Sequence, residues 1–258
     1  MFNYLKSIKE KNTEKRSLCF RSGVYMSELL YLFGEIDERF RPLVATVRYW
    51  ASETGLTRPI PGHTITNFTL TLLIICYLQR LNIPILPTFD EMIQLARPED
   101  NRVTYDLDCT FHRDPLIFKK RFNNQNNDSL EKLLIGFLRF IETFDYSKQA
   151  LTIVKRDLQT KPCQDHLYMQ NPLEREHNVS KNVSFDQLKR LKLEAGKAQI
   201  TLQETSDQNR WGLLSFGKDT LHHGLDQKPL STAKLLHDIF KPAVTGKPRK
   251  QSTNRKGR

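Results

Sequence analysis

Residues 65–81, ITNFTLTLLIICYLQRL, form the most apolar run of the chain, and their reading decides the fold. A membrane-spanning helix needs about 20 predominantly apolar residues. This run is shorter and is interrupted by Thr66, Asn67, Thr69, Thr71 and Gln79. It therefore reads as a largely buried helix from about Thr66 to Leu81, the centre of a soluble helical domain without a membrane span.

The flanking segments supply helices to pack against it. Upstream, Phe40, Leu43, Val44, Val47, Trp50 and Ala51 recur with the 3.6-residue period, with Asp37 placed to cap and Gly55 to stop the helix. TRPIPGH (57–63) then breaks the chain with two prolines and a glycine. Downstream, NIPILPTFDEM (82–92) leads into a short helix near Phe89–Ala96, and PEDNRVTYDLDCTFHRDP (98–115) reads as irregular. Asp128-Ser-Leu-Glu131 has capping-box spacing ahead of an amphipathic helix carrying Leu130, Leu133, Leu134, Phe137, Leu138, Ile141 and Phe144. Ala150–Lys155 reads as a strand. Ser184-x-x-Gln187 opens a last helix to about Glu204, with Leu188, Leu191, Ala195, Ala198 and Leu202 on one face. The fold class is α+β and mainly helical, with few strands.

Forty Lys and Arg against 29 Asp and Glu leave a net charge of +11, which favours a polyanionic partner such as RNA. Residues 241–258 concentrate seven of these cations with no acid, so 205–258 reads as a low-order basic tail. The four cysteines (Cys19, Cys76, Cys109, Cys163) are scattered and include no C-x-x-C. The N-terminus lacks the apolar core of a signal peptide, so the N-x-S sites at Asn178 and Asn182 are not expected to carry sugar.

Two constellations have chemical spacing. Asp106-Leu-Asp108 could hold a metal from one side of a strand, but no glycine-rich phosphate loop accompanies it, and a solvated acidic turn is the simpler reading. Asn171, Glu174 and His177, spaced by three, could face one way and offer amide, carboxylate and imidazole to a nucleobase edge. Plain turn and capping chemistry explains the same three residues.

Five blocks in order, SELLYLFGEIDERFRPLVATVRYWA (27–51), RPIPGHTITNFTLTLLIICYLQR (58–80), PILPTFDEM (84–92), CTFHRD (109–114) and YMQNPLEREHNVSKNVS (168–184), resemble the PAP-associated region of non-canonical poly(A) polymerases, the mitochondrial type above all. These enzymes are terminal nucleotidyltransferases of the polymerase-beta-like superfamily, and the likeness runs from about Leu18 to Glu204. It implies a central helical and nucleotide-recognition domain over 23–204, and a divergent stretch at 1–22 with a remnant of the last palm strand. Implied too are a mitochondrial location (cytoplasmic otherwise), RNA and ATP as partners, and transfer of AMP to RNA 3′ ends with Mg²⁺ or Mn²⁺. A homodimer is allowed.

Carried over by position, Arg48 would meet the triphosphate, and Asn67 and Phe68 would contact the nucleotide and stack on its base. Asn171 and Glu174 fall on the base-recognition motif, with Leu173 where Phe is usual. His177 falls where uridylyl-adding members often carry His, which keeps UTP open as the substrate. Ser52 departs from a second basic position. The phosphate-binding Gly-Ser motif and the paired metal carboxylates have no counterpart in the sequence, and Ser17 stands where the third carboxylate is expected. The chain alone is thus expected to be inactive. The alternatives are a non-catalytic RNA- or nucleotide-binding module, or a relative of the terminal uridylyltransferases.

Overall fold

A computed structural model describes residues 22–57, 64–104, 107–122 and 126–206. The chain begins there with helix α1 (22–36), whose Met26, Leu29, Phe33 and Ile36 are buried along one stripe. Helix α2 (Phe40–Glu53) buries Leu43, Val47, Trp50 and Ala51. Asp37 stands just ahead of it, its backbone carbonyl accepting from Phe40 N and its carboxylate accepting from Arg39 N. At the other end Gly55 takes a φ of +66°, which lets Leu56 N turn back to Ala51 O at 2.8 Å. That left-handed residue closes the helix, as glycine does at little steric cost.

The apolar run folds as α3 (Asn67–Gln79), and every residue from Thr69 to Gln79 is buried. Thr66 caps it, its hydroxyl accepting from Thr69 N at 3.0 Å. Polar groups that break up the run find partners inside the protein, although Gln79 Oε1 has none among the described residues. Gln79 Nε2 donates to Pro87 O and Ile153 O at 2.7 and 3.1 Å, and Thr71 donates to Asn67 O at 2.8 Å. Helices α2 and α6 (Leu130–Thr143) pack against α3, and the long α7 (Phe185–Ser206) lies along α6. Among the described residues no helix is long and apolar enough to cross a membrane.

Between these helices lie the short α4 (Phe89–Gln94) and α5 (Pro115–Phe122) and two two-residue hairpins. Strands β1 (Val103–Thr104) and β2 (Leu107–Asp108) pair antiparallel, Val103 opposite Asp108. Strands β3 (Gln149–Ala150) and β4 (Gln159–Thr160) pair with Gln149 opposite Thr160. The CTFHRD block knits the first hairpin to α1. Phe111 and His112 are buried, and His112 Nδ1 lies 3.2 Å from the buried Asp100 carboxylate. Arg113 stacks over the Phe111 ring at 4.3 Å and reaches Glu28 of α1 at 2.9 Å.

Three expectations change. The segment 98–115 contains the β1–β2 hairpin and is not wholly irregular. Ala150–Lys155 is strand only at Ala150. Beyond it Leu151 makes a single bridge to Met169, and the carbonyls of Ile153 and Val154 accept from Phe89 N and Asp90 N, so past Leu151 the segment bonds to a helix start and not to a neighbouring strand. The cap of α6 is Ser129, whose hydroxyl accepts from Lys132 N at 3.2 Å. Asp128 sits one residue outside, where its carbonyl accepts from Arg39 at 2.8 Å and its carboxylate pairs with Lys132. The Ser184–Gln187 capping box forms as read, at 3.3 Å and 3.2 Å in the two directions.

Candidate nucleotide-recognition site

Arg48 projects from the exposed side of α2 toward the first turn of α3. Its guanidinium donates to Thr71 Oγ1 at 2.8 Å, and the same hydroxyl donates to Asn67 O. Thr71 therefore holds Arg48 beside Asn67 and Phe68. Asn67 is exposed at the start of α3, and Phe68 is half-buried with part of its ring packed on the core. A cation is thus fixed near the positive end of a 13-residue helix, a combination that attracts anions. Thr71 was not singled out in the sequence. Its signal is the i, i+4 spacing from Asn67 on α3.

The second group occupies the loop 171–177. Its ends are tied by Asn171 N to His177 O at 2.9 Å and by the bridge between Gln170 and Asn178. Asn171 Oδ1 accepts from Leu173 N and Glu174 N at 3.0 and 3.1 Å, so its oxygen serves the turn and only its amide N–H₂ is left to donate. Leu173 is buried and anchors the loop from below. The side chains of Glu174 and His177 make no hydrogen bond or ion pair with described residues, and His177 is exposed. Glu174 lies close enough to Cys109 to help raise that thiol's pKa to about 11, after burial and Asp108. The structure joins Arg48, Asn67 and Phe68 into one group and Asn171, Glu174 and His177 into another. No hydrogen bond or ion pair among the described residues links the two.

Asn178 is the loop's pin. Its Nδ2 donates to Asp165 Oδ2 at 2.8 Å and Leu167 O at 2.9 Å. Its Oδ1 accepts from Met169 N and Ser180 N at 3.0 and 2.9 Å. A buried amide with every lone pair and proton engaged is not a sugar acceptor. Asp165 is correspondingly held below the usual carboxylate range, chiefly by the Asn178 hydrogen bond.

No group of three metal-ligating side chains occurs among the described residues. Asp108 is exposed and its Oδ1 accepts from Thr110 N at 2.9 Å; Asp106 lies outside the described residues, as do Ser17, the histidine pair 222–223 and the basic tail. The described residues bring together no carboxylate set that would fit Mg²⁺ or Mn²⁺.

A scan against models of known protein families gives no match. The mitochondrial poly(A) RNA polymerase of Drosophila melanogaster is 44% identical over 183 residues, 70% of this chain and 30% of that protein. The Homo sapiens protein of the same name is 43% identical over 203 residues, 76% of this chain and 34% of that protein. The chain spans about a third of the length of these relatives. Among solved structures, mtPAP in apo form superposes with a TM-score of 0.68 at 37% identity, over 72% of this chain and 39% of that one. Cid1 bound to the UTP analogue UMPNPP gives 0.65 at 25% identity, over 75% and 63%. Sequence and fold together place the chain in the mitochondrial poly(A) RNA polymerase family, within the wider group of polymerase-beta-like nucleotidyltransferases.

Proposed function

We propose that residues 23–204 form the nucleotide-recognition wall of a mitochondrial enzyme that adds AMP from ATP to RNA 3′ ends. The observation that carries this reading is the Arg48–Thr71–Asn67 linkage, which presents a fixed cation and a half-open aromatic face at one helix start. Arg48 binds phosphate, Phe68 stacks on the base, and Asn67 contacts the nucleotide between them. Asn171 then donates and Glu174 accepts, a pair that matches the adenine edge (N1 acceptor, N6 donor). The same pair matches uracil with its roles exchanged, so His177 is the residue that would tilt the choice. Structures of mtPAP with UTP, GTP and ATPgammaS show that protein taking several bases. Adenylyl addition remains the first reading because the likeness to poly(A) polymerases extends over most of the chain.

Titrating the purified chain with a fluorescent ATP analogue tests the phosphate contact. Arg48→Ala should weaken binding about tenfold or more, the worth of a charge-assisted hydrogen bond. Unchanged affinity would overturn the assignment. With labelled RNA, ATP and Mg²⁺ the same chain should give no tailed product, since the described residues supply no carboxylate site for two-metal transfer.

A further inference from the structure

Leu151 and Ile153 point into the core, which sends the alternate residue Thr152 to the opposite side. There the segment, the β3–β4 hairpin and the approach to the recognition loop enclose a cavity of about 290 Å³, near the lower end of ligand-site sizes. Its lining includes Lys155, Arg175, Thr160, Tyr168 and Gln170 and no acidic side chain. Asp90, outside the lining, pairs with Arg175 at 3.0 Å and stands 4.0 Å from Lys155. One carboxylate shared by two cations leaves the rim positive. The hydroxyls of Thr160 and Tyr168 have no hydrogen-bond partner among the described residues, and burial raises the Tyr168 pKa, so that hydroxyl stays a donor. Thr152 donates to Gln170 at 2.7 Å and Gln170 donates to Arg175 O at 3.0 Å, which pre-sets the polar wall.

We propose that this cavity binds one nucleotide unit, its phosphate against Lys155 and Arg175 and its sugar hydroxyls toward Thr160, Tyr168 and Gln170. The choice of a nucleotide rests on the function proposed above; the preference for an anion rests on the cavity alone. Gln170 and Arg175 bracket Asn171 and Glu174 in sequence, so an occupant there steadies the loop that would read the incoming base. The unit comes either from single-stranded RNA or from a free mononucleotide.

Fluorescence anisotropy of the whole chain with labelled oligoadenylate provides the test, with unlabelled oligoadenylate and AMP as competitors. Lys155→Gln should weaken oligoadenylate about tenfold, while Lys189→Gln, the same charge loss at an exposed site on α7, should leave it unchanged. Both lysines are exposed, so neither change threatens folding. Displacement by AMP assigns the occupant to a free mononucleotide, and displacement by oligoadenylate alone assigns it to a strand; either supports the site. Equal effects of the two variants, or none from Lys155→Gln, would overturn it. Loss of ATP binding in Arg48→Ala with no effect of Lys155→Gln removes the cavity and leaves the nucleotide wall standing; the converse removes only the wall.

Discussion

Asn178 shows how much one buried amide can hold. Replacing it with Ala removes its hydrogen bonds with Met169 N, Ser180 N, Leu167 O and Asp165 Oδ2 at once, and leaves the Ser180 hydroxyl as the remaining side-chain partner of Met169 N and Leu167 O. Each unmade buried hydrogen bond costs about 1–3 kcal/mol, so Asn178→Ala should lower stability by roughly 3 kcal/mol and Tm by about 6–12 °C, measured by thermal unfolding. A pH signature accompanies it. Asp165 is depressed in the folded state, so its contribution is present above its unfolded value of 3.8 and is lost as pH falls through the lower folded value. The wild type should therefore lose stability below about pH 4 in a step that Asn178→Ala largely lacks. An identical acid dependence in both proteins would show that the hydrogen bond contributes nothing.

At the scale of elements, the packing of α3 on α6 depends on a missing side chain. A Cβ at Gly136 would lie 2.1 Å from the Tyr77 hydroxyl and 3.1 Å from its Cζ. The Tyr77 ring cannot swing aside, because Phe137 and Phe140 stand 5.9 and 5.8 Å from it. Gly136→Ala should destabilise by about 1–3 kcal/mol despite the better helix propensity of Ala. Tyr77→Phe should recover much of that loss in a double-mutant cycle; additive effects would mean that the two residues do not meet. The helices were legible in sequence because their periods and caps are local: Thr66 to Gln79, Phe40 to Ala51 and the Ser184–Gln187 box form much as the pattern indicates. What escaped depended on distant partners. Ala150–Lys155 alternates like a strand, yet the carbonyls of Ile153 and Val154 are claimed by α4, and nothing local marks Asp128 as a partner for Arg39. The site divides in the same way. Positions for Arg48, Asn67 and Phe68 came from a resemblance, whereas the Thr71 hydroxyl that joins them needed two helices placed side by side.

For the molecule as a whole, the charge of +11 and the seven cations of residues 241–258 set an electrostatic expectation independent of any pocket. Removing 241–258 should weaken single-stranded RNA binding alike for all sequences and flatten its salt dependence, by about 0.7 in slope for each phosphate the tail neutralises. Filter binding across a salt series measures both. No change would mean that the tail does not touch RNA, and that the non-catalytic binding reading cannot rest on it. The pocket at Lys155 and the wall at Arg48 make separate demands on the same assay, since each should alter affinity with the tail intact.

The burial of α3 on every side has a further consequence, in time instead of energy. A helix without a free face exchanges its amide protons mainly when the whole domain opens. Asn67 and Phe68 stand at the start of that helix and Arg48 is tethered to it. The loop 171–177 hangs from Asn178 and Leu173, and the Glu174 and His177 side chains have no hydrogen-bond or ion-pair partner among the described residues. Its opening would not require the core to open. A base held between them would rest on one slow jaw and one fast one, with the fast jaw deciding how soon it leaves.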